Sequence, residues 1–136
     1  GIYEPVWEKR RLAILRTVEL VAREVPKLHV CGISTPNLIR RFSQVGVSSI
    51  DTAAFVKSAF MMQVYYSKPY RRYRLVTSRR IKEKRGFFDR ILTRPLPCDC
   101  PVCERHGGKV LFNSSKKKWN NLRAIHNLWH YLSEIA

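Results

Sequence analysis

The chain has few acidic side chains: 10 Asp and Glu stand against 26 Lys and Arg, a formal net charge of +16 over 136 residues. It has no run of 18 apolar residues, so we expect no membrane-spanning helix. Its first residues, GIYEPVWEKRR, lack the apolar core of a signal peptide, and we therefore expect a cytoplasmic protein. The first residue is not methionine, as expected of a trimmed or processed chain.

The excess of positive charge indicates a polyanionic partner, because lysine and arginine release counterions when they neutralise phosphates. From Lys68 to Arg94 there are 11 basic residues and two acids, a local net of +9, with aromatic residues interspersed. This mixture suits both phosphate contact and base stacking, although a solvated charged face remains the alternative. The candidate phosphate contacts are Lys68, Arg71, Arg72, Arg74, Arg79, Arg80, Lys116, Lys117 and Lys118.

The first half of the chain predicts an α/β fold. Apolar residues at three- and four-residue spacing indicate a helix over 5–25, which Pro26 ends. A buried strand over 27–33, a helix over 34–46 and a short strand over 47–51 follow. Ser34 or Thr35 is expected to cap that second helix and Gly46 to end it. A strand, a helix and a strand in so short a span predict parallel neighbours.

The second half is less regular. Residues 52–66 are ambiguous between a helix and buried irregular structure, while 70–76 and 109–112 are candidate strands. The last segment, 119–135, predicts an amphipathic helix whose apolar stripe contains Trp119, Leu122, Ile125 or His126, Trp129 and Leu132. The prolines of RPLPCDCP predict a boundary between residues 1–94 and a cysteine-rich part, 95–136.

The cysteines predict a zinc site. Cys31 lies in the expected buried strand, where a free cysteine acts as a small hydrophobe. The other three form C-x-C-x-x-C, and three thiols cannot all be paired in disulfides. A redox pair would leave one of them unexplained, whereas zinc uses all three thiolates and one imidazole. The zinc-site cysteines are Cys98, Cys100 and Cys103.

Three histidines are candidates for the fourth zinc ligand: His106, His126 and His130. His106 would need a very tight turn, whereas the other two lie one helical turn apart on the last helix. Spacing favours His126 without deciding the matter. A Cys3His site has no open position, so its role should be structural rather than catalytic.

These residues resemble a known family. CDCPVC, followed after 22 intervening residues by the histidine of AIHNL, resembles the C-x-C-x-x-C…H zinc motif of the tRNA-guanine transglycosylase family, with spacing closest to its archaeosine-forming branch. The segments LHVCGIS, TPNLIRRF and GVSSID resemble that family's strand, helix and nucleophile segment. The resemblance implies that His126 is the fourth zinc ligand and that Asp51 is a covalent nucleophile. An N-cap is the alternative role for Asp51, since TAAFVK follows it.

The resemblance implies the C-terminal portion of a (β/α)8 TIM-type barrel with an appended Cys3His zinc module and a C-terminal helix. The implied reaction exchanges guanine for a 7-deazaguanine base in tRNA or DNA through an aspartyl intermediate. TAAFVKSAFMMQVYYS looks more like the branch that modifies DNA. The family's base-binding segment and second aspartate are absent here, so we expect a partner chain or a missing N-terminal part. The alternative is a non-catalytic, zinc-stabilised nucleic-acid-binding subunit.

Overall fold

The computed structural model describes residues 4–33, 35–76, 90–114 and 116–135. It divides into two compact units, the first ending at Ala53 and the second running from Ala54 to Glu134. The described residues 54–76 and 90–94 thus belong to the same unit as the cysteine cluster, and the backbone of Tyr65 and Ser67 is hydrogen-bonded to the last helix. The predicted boundary between residues 94 and 95 stays a prediction. No helix in the described parts of the chain has both the length and the apolar character needed to cross a membrane.

The first unit contains the predicted parallel pair. Its elements are α1 (Glu4–Glu24), β1 (His29–Val30), α2 (Pro36–Gln44) and β2 (Ser49–Ile50). Strands β1 and β2 run parallel, with His29 opposite Ser49 and Val30 opposite Ile50. The predicted strand–helix–strand order is therefore confirmed, and α1 packs on α2.

The ends of α2 follow their local chemistry. Thr35 occupies the N-cap position with extended backbone and Pro36 begins the helix, where its missing N–H costs nothing. The Thr35 hydroxyl makes no capping hydrogen bond, and Ser34 lies outside the described residues. Gly46 follows the helix with a φ of 94°, a conformation that favours glycine. Phe42 is the helix's fully buried anchor.

The predicted strand over 27–33 is longer than the observed one. Only His29 and Val30 form the strand, and Gly32, whose φ is 72°, interrupts the extended backbone. Cys31 is exposed rather than buried, so the prediction that it acts as a small core hydrophobe is wrong. Ile33 is the buried residue of this segment.

In its described residues the second unit contains a three-stranded sheet in the order β3 (Gln63–Tyr66), β4 (Arg71–Leu75) and β5 (Ile91–Leu92). Strands β3 and β4 are antiparallel, and β4 and β5 are parallel. The ambiguous stretch 52–66 is resolved as a helix followed by a strand, and the strand predicted at 70–76 is confirmed. The elements are α3 (Ala54–Phe60), β3 (Gln63–Tyr66), β4 (Arg71–Leu75), β5 (Ile91–Leu92), α4 (Pro101–His106), a 3-10 helix (Gly108–Phe112) and α5 (Lys117–Ile135).

The strand predicted at 109–112 is wrong. This apolar stretch forms the 3-10 helix, and its residues Val110 and Leu111 are buried in the core. A short apolar run reports burial but not backbone conformation, which explains the error. The core around it contains Val64, Leu75, Val102 and two of the cysteines.

Helix α5 is present as predicted, but its stripe is only partly the buried face. Trp119 and Leu122 pack on the core. Three other members of the stripe are exposed: Ile125 (49%), Trp129 (42%) and Leu132 (51%). The buried face is instead mostly polar and consists of Asn120, Arg123, His126, Asn127, His130 and Tyr131.

Arg123 shows why a polar face can be buried. Its side chain is fully buried, and its guanidinium donates to the carbonyl oxygens of Ala59 (3.0 Å), Leu111 (3.1 Å), Asn113 (2.6 Å) and Ser114 (3.3 Å), and to Asn120 Oδ1. Burial lowers the pKa of this guanidinium. Its five N–H donors allow one side chain to join the end of α3 and the segment before α5 to that helix.

Candidate functional site

The predicted zinc residues converge in the second unit. The sulfur atoms of Cys98, Cys100 and Cys103 lie 3.8, 3.2 and 3.6 Å from Nδ1 of His126. All four donor atoms lie within 4.8 Å of one another. A tetrahedral zinc ion with ordinary bond lengths separates its sulfur and nitrogen ligands by about 3.6 Å. The donor set and its spacing therefore fit one zinc ion.

The turn before α4 arranges the sulfurs. Cys100 is the N-cap of α4, and its Sγ accepts a hydrogen bond from the backbone N–H of Cys103 at 3.4 Å. Cys98 Sγ accepts one from the backbone N–H of Cys100, also at 3.4 Å. Because N–H donors stabilise negative sulfur, these two bonds favour the thiolate forms of Cys98 and Cys100 that a metal ion requires.

The imidazole of His126 is oriented by strand β3. Its Nε2 lies 2.9 Å from the backbone oxygen of Tyr65, which can only accept. Nε2 must therefore carry the proton, which leaves the lone pair of Nδ1 directed toward the three sulfurs. A carbonyl partner on the far nitrogen is the usual support of a metal-binding histidine.

The thiols are not equivalent without a metal. A hydrogen bond from Cys103 lowers the pKa of Cys100 to about 3, and the same bond raises the pKa of Cys103. Burial raises the pKa of Cys98. Metal binding must therefore displace protons from two of the thiols, so metal affinity is expected to fall as the pH falls.

Neither of the other two candidate ligands belongs to the group of four donors. His106 is exposed at the end of α4 and does not belong to the four-donor cluster. His130 is buried, and its Nε2 lies 3.1 Å from Cys98 Sγ. The structure thus groups His126, rather than His106, with the cysteines.

Sequence reasoning assigned no role to the side chain of Asn127. Its Oδ1 accepts from the Tyr65 N–H at 2.9 Å, and its Nδ2 donates to the backbone oxygens of Gln63 (3.0 Å) and Phe55 (3.2 Å). The only clue in the sequence is the spacing of polar residues, since Arg123, Asn127 and His130 share one face of α5.

Asp51 lies in the first unit, directly after β2. The Gly32 N–H donates to its Oδ1 at 2.7 Å, and this bond is the main cause that lowers the pKa of the exposed carboxyl group. His29 Nε2 stands 3.7 Å from Oδ2, and His29 Nδ1 lies 2.8 Å from the Ser49 hydroxyl. The carboxylate is therefore ionised at neutral pH. Its Oδ1 accepts a hydrogen bond from the backbone, and the side chain is exposed to solvent.

A second group of potential metal ligands surrounds this carboxylate. Donor atoms of His29, Cys31 and Asp51 lie within 4.8 Å of one another, but all three side chains are exposed. The group differs in that respect from the largely buried Cys3His cluster.

The predicted phosphate contacts fall on two segments of the second unit. Lys68 and Arg74 are exposed, whereas Arg71 and Arg72 on β4 are half-buried. Arg79 and Arg80 lie outside the described residues. The second segment lies at the start of α5, and its three lysines are exposed: Lys116, Lys117 and Lys118. The Lys118 ammonium lies 4.8 Å from the centre of the Trp119 ring.

Together these features define an α/β protein with parallel strands and a Cys3His cluster able to hold a metal ion. A family model described as queuine tRNA-ribosyltransferase matches residues 4–136, so the chain belongs to that family. The family resemblance drawn from CDCPVC and AIHNL is thereby confirmed.

Two curated relatives are both named tRNA-guanine(15) transglycosylase. The protein of Korarchaeum cryptofilum is 29% identical over 119 residues, which cover 88% of this chain and 17% of the relative. That of Saccharolobus solfataricus is 28% identical over 115 residues, which cover 85% of this chain and 19% of the relative. The chain spans less than a fifth of either relative's length. No solved structure matches it.

The Cys3His geometry predicts about one zinc ion per chain by elemental analysis. His126→Ala should weaken zinc binding by roughly 100-fold, because one of four ligands carries about a quarter of the ~12 kcal/mol of a structural zinc site. Competition with a chromophoric chelator measures this change. The matched control is His106→Ala, which removes an exposed imidazole outside the cluster. Equal, small effects of the two substitutions would refute the ligand assignment.

Proposed function

We propose that this chain is the C-terminal catalytic part of a guanine transglycosylase, which exchanges guanine for a 7-deazaguanine base in tRNA or DNA. The observation that carries the proposal is the exposed, ionised Asp51 carboxylate at the carboxyl end of a parallel strand. Enzymes with barrels of parallel strands place their reacting groups at that end. Family membership and relatives named tRNA-guanine(15) transglycosylase support the same conclusion.

In the proposed reaction the Asp51 carboxylate attacks C1′ of the target nucleoside. The bond from C1′ to the guanine nitrogen breaks, and guanine leaves with the electron pair and takes up a proton. The glycosyl ester on Asp51 is then attacked by a nitrogen of the incoming base, which loses its proton as the ester bond breaks. Dividing one difficult displacement into two easier ones is the general advantage of a carboxylate nucleophile.

The geometry around Asp51 suits this task. The Gly32 N–H holds Oδ1, so the carboxylate has a fixed orientation while Oδ2 stays accessible. His29 lies beside Oδ2 and is itself fixed by Ser49. The target base must leave its stack to reach such a group, and basic side chains that hold the backbone would stabilise that state.

The remainder of the barrel is proposed to come from a partner chain or from the rest of a longer chain. The described part of the first unit contains one parallel strand pair, whereas a (β/α)8 barrel needs eight strands. Exposed apolar side chains on α1, including Ile14 and Leu20, support a missing covering surface. The zinc ion, with all four positions filled by protein, would stabilise the second unit and take no part in the reaction.

A non-catalytic, zinc-stabilised nucleic-acid-binding subunit is the second candidate. The exposed basic side chains at the start of α5 and the closed Cys3His cluster favour it, because neither feature requires a reaction. Both candidates predict zinc and salt-sensitive binding. Only the transglycosylase requires Asp51.

Asp51→Asn is predicted to abolish the covalent adduct between protein and nucleic acid, because an amide is a far poorer nucleophile than a carboxylate. The assay combines the chain and the missing barrel portion with guanine-containing tRNA or DNA. Denaturing electrophoresis then detects the adduct. Glu24→Gln, which neutralises an exposed acid of the same unit, is the matched control and should leave the adduct unchanged. Undiminished adduct in Asp51→Asn would exclude this residue as the nucleophile.

The basic side chains of the second unit are predicted to contact phosphates. Replacing both Lys68 and Arg74 by glutamine should make the negative slope of log K against log salt concentration shallower by about 1.4 to 1.8. This is the amount expected for two lost phosphate contacts. Fluorescence anisotropy of labelled tRNA over a range of salt concentrations measures the slope. A double substitution on α1, Lys9→Gln with Arg16→Gln, is the control. If both double variants reduce the slope equally, the charge acts diffusely and these residues are not specific contacts.

A further inference from the structure

His130 lies beside the Cys3His cluster, with its Nε2 3.1 Å from Cys98 Sγ. It is 6% exposed and lies one turn beyond His126 on α5. The backbone N–H of Ser67 donates to its Nδ1 at 3.1 Å, and the Ser67 hydroxyl lies 2.9 Å from the same atom. A backbone N–H can only donate, so Nδ1 must be the acceptor.

The proton of the neutral imidazole is therefore on Nε2. That atom lies 3.1 Å from the sulfur of Cys98, a short distance for an N–H donor and a sulfur acceptor. The ring is buried, and because its Nδ1 accepts a hydrogen bond, its one N–H is on Nε2 and available to donate. Both ring nitrogens thus have a hydrogen-bond partner: Ser67, after β3, for Nδ1, and the predicted zinc ligand Cys98 for Nε2.

We propose that His130 is a positioning residue for the metal centre, which donates its Nε2–H to the Cys98 thiolate and thereby strengthens zinc binding. Three thiolates around Zn²⁺ leave a net charge of −1 in a largely buried site, and an N–H donor disperses that charge. Cys98 is the least buried of the three cysteines, so it is the thiolate most open to water and to competing ligands. This role concerns the proposed zinc ion alone and is independent of Asp51.

Two substitutions separate the hydrogen bond from the packing of the ring. The amide nitrogen of glutamine lies near the position of Nε2, so His130→Gln keeps a donor for Cys98. Asparagine keeps an acceptor for Ser67 but is too short to reach the sulfur. His130→Asn should release zinc to a chelator at least about 10-fold faster than wild type, the lower limit for losing such a supporting contact. His130→Gln should stay within about 3-fold of wild type.

A cobalt-substituted protein gives a readout that packing alone does not produce. Loss of a hydrogen bond to a thiolate raises the energy of the sulfur electrons, so the sulfur-to-cobalt charge-transfer band of His130→Asn should move to longer wavelength. That of His130→Gln should not move. Equal behaviour of the two variants, whether both match wild type or both lose zinc, would overturn the proposal.

Wild-type protein supplies a test that needs no substitution. In the zinc-loaded, nitrogen-15-labelled chain, histidine ring correlations should show His130 in the neutral form with its proton on Nε2. A proton on Nδ1, or a cationic ring, would overturn the proposal even if the variants do not fold.

Discussion

The second unit depends on the hydrogen bonds made by the backbone groups along the edge of β3 that faces away from β4. A strand at the edge of a sheet exposes unpaired backbone groups, and leaving them buried without partners is costly. Among the residues that the structure describes, β3 pairs with one strand, β4, on one side. On its other side the backbone groups of Gln63, Tyr65 and Ser67 bond to side chains of α5 rather than to another strand. Those side chains are His126, Asn127 and His130.

The metal centre follows from this arrangement. The carbonyl of Tyr65 fixes the proton of His126 on Nε2, which faces away from the cysteines. The N–H of Ser67 also fixes the proton of His130 on Nε2, which faces Cys98. Strand β3 and the residue after it therefore set the tautomers of both histidines. We expect metal binding and the packing of α5 on β3 to be coupled through these bonds, so that removal of the metal loosens this contact.

The sequence predicts much of this structure but not its polar contacts. Periodicity and helix-ending residues correctly predict α1, α2, α5 and the parallel pair, because those patterns are local. The local C-x-C-x-x-C spacing likewise predicts that the three thiols lie together, whereas the choice of His126 comes from the family resemblance. Apolar periodicity does not predict the buried polar face of α5, because the partners of its side chains lie far away in the sequence. Asn127 and its partner Gln63, for example, are more than 60 residues apart. Cys31 is misplaced since strand length depends on neighbours that the sequence does not identify.

Hydrogen exchange at the amides of Tyr65 and Ser67 tests the account most directly. Each of these amides bonds to a side chain of α5. In the zinc-loaded protein they should exchange as slowly as the amides that are hydrogen-bonded between β3 and β4. They should lose that protection when a chelator removes the metal. Rapid exchange of both amides in the zinc-loaded protein would contradict the coupling of strand edge, helix and metal centre.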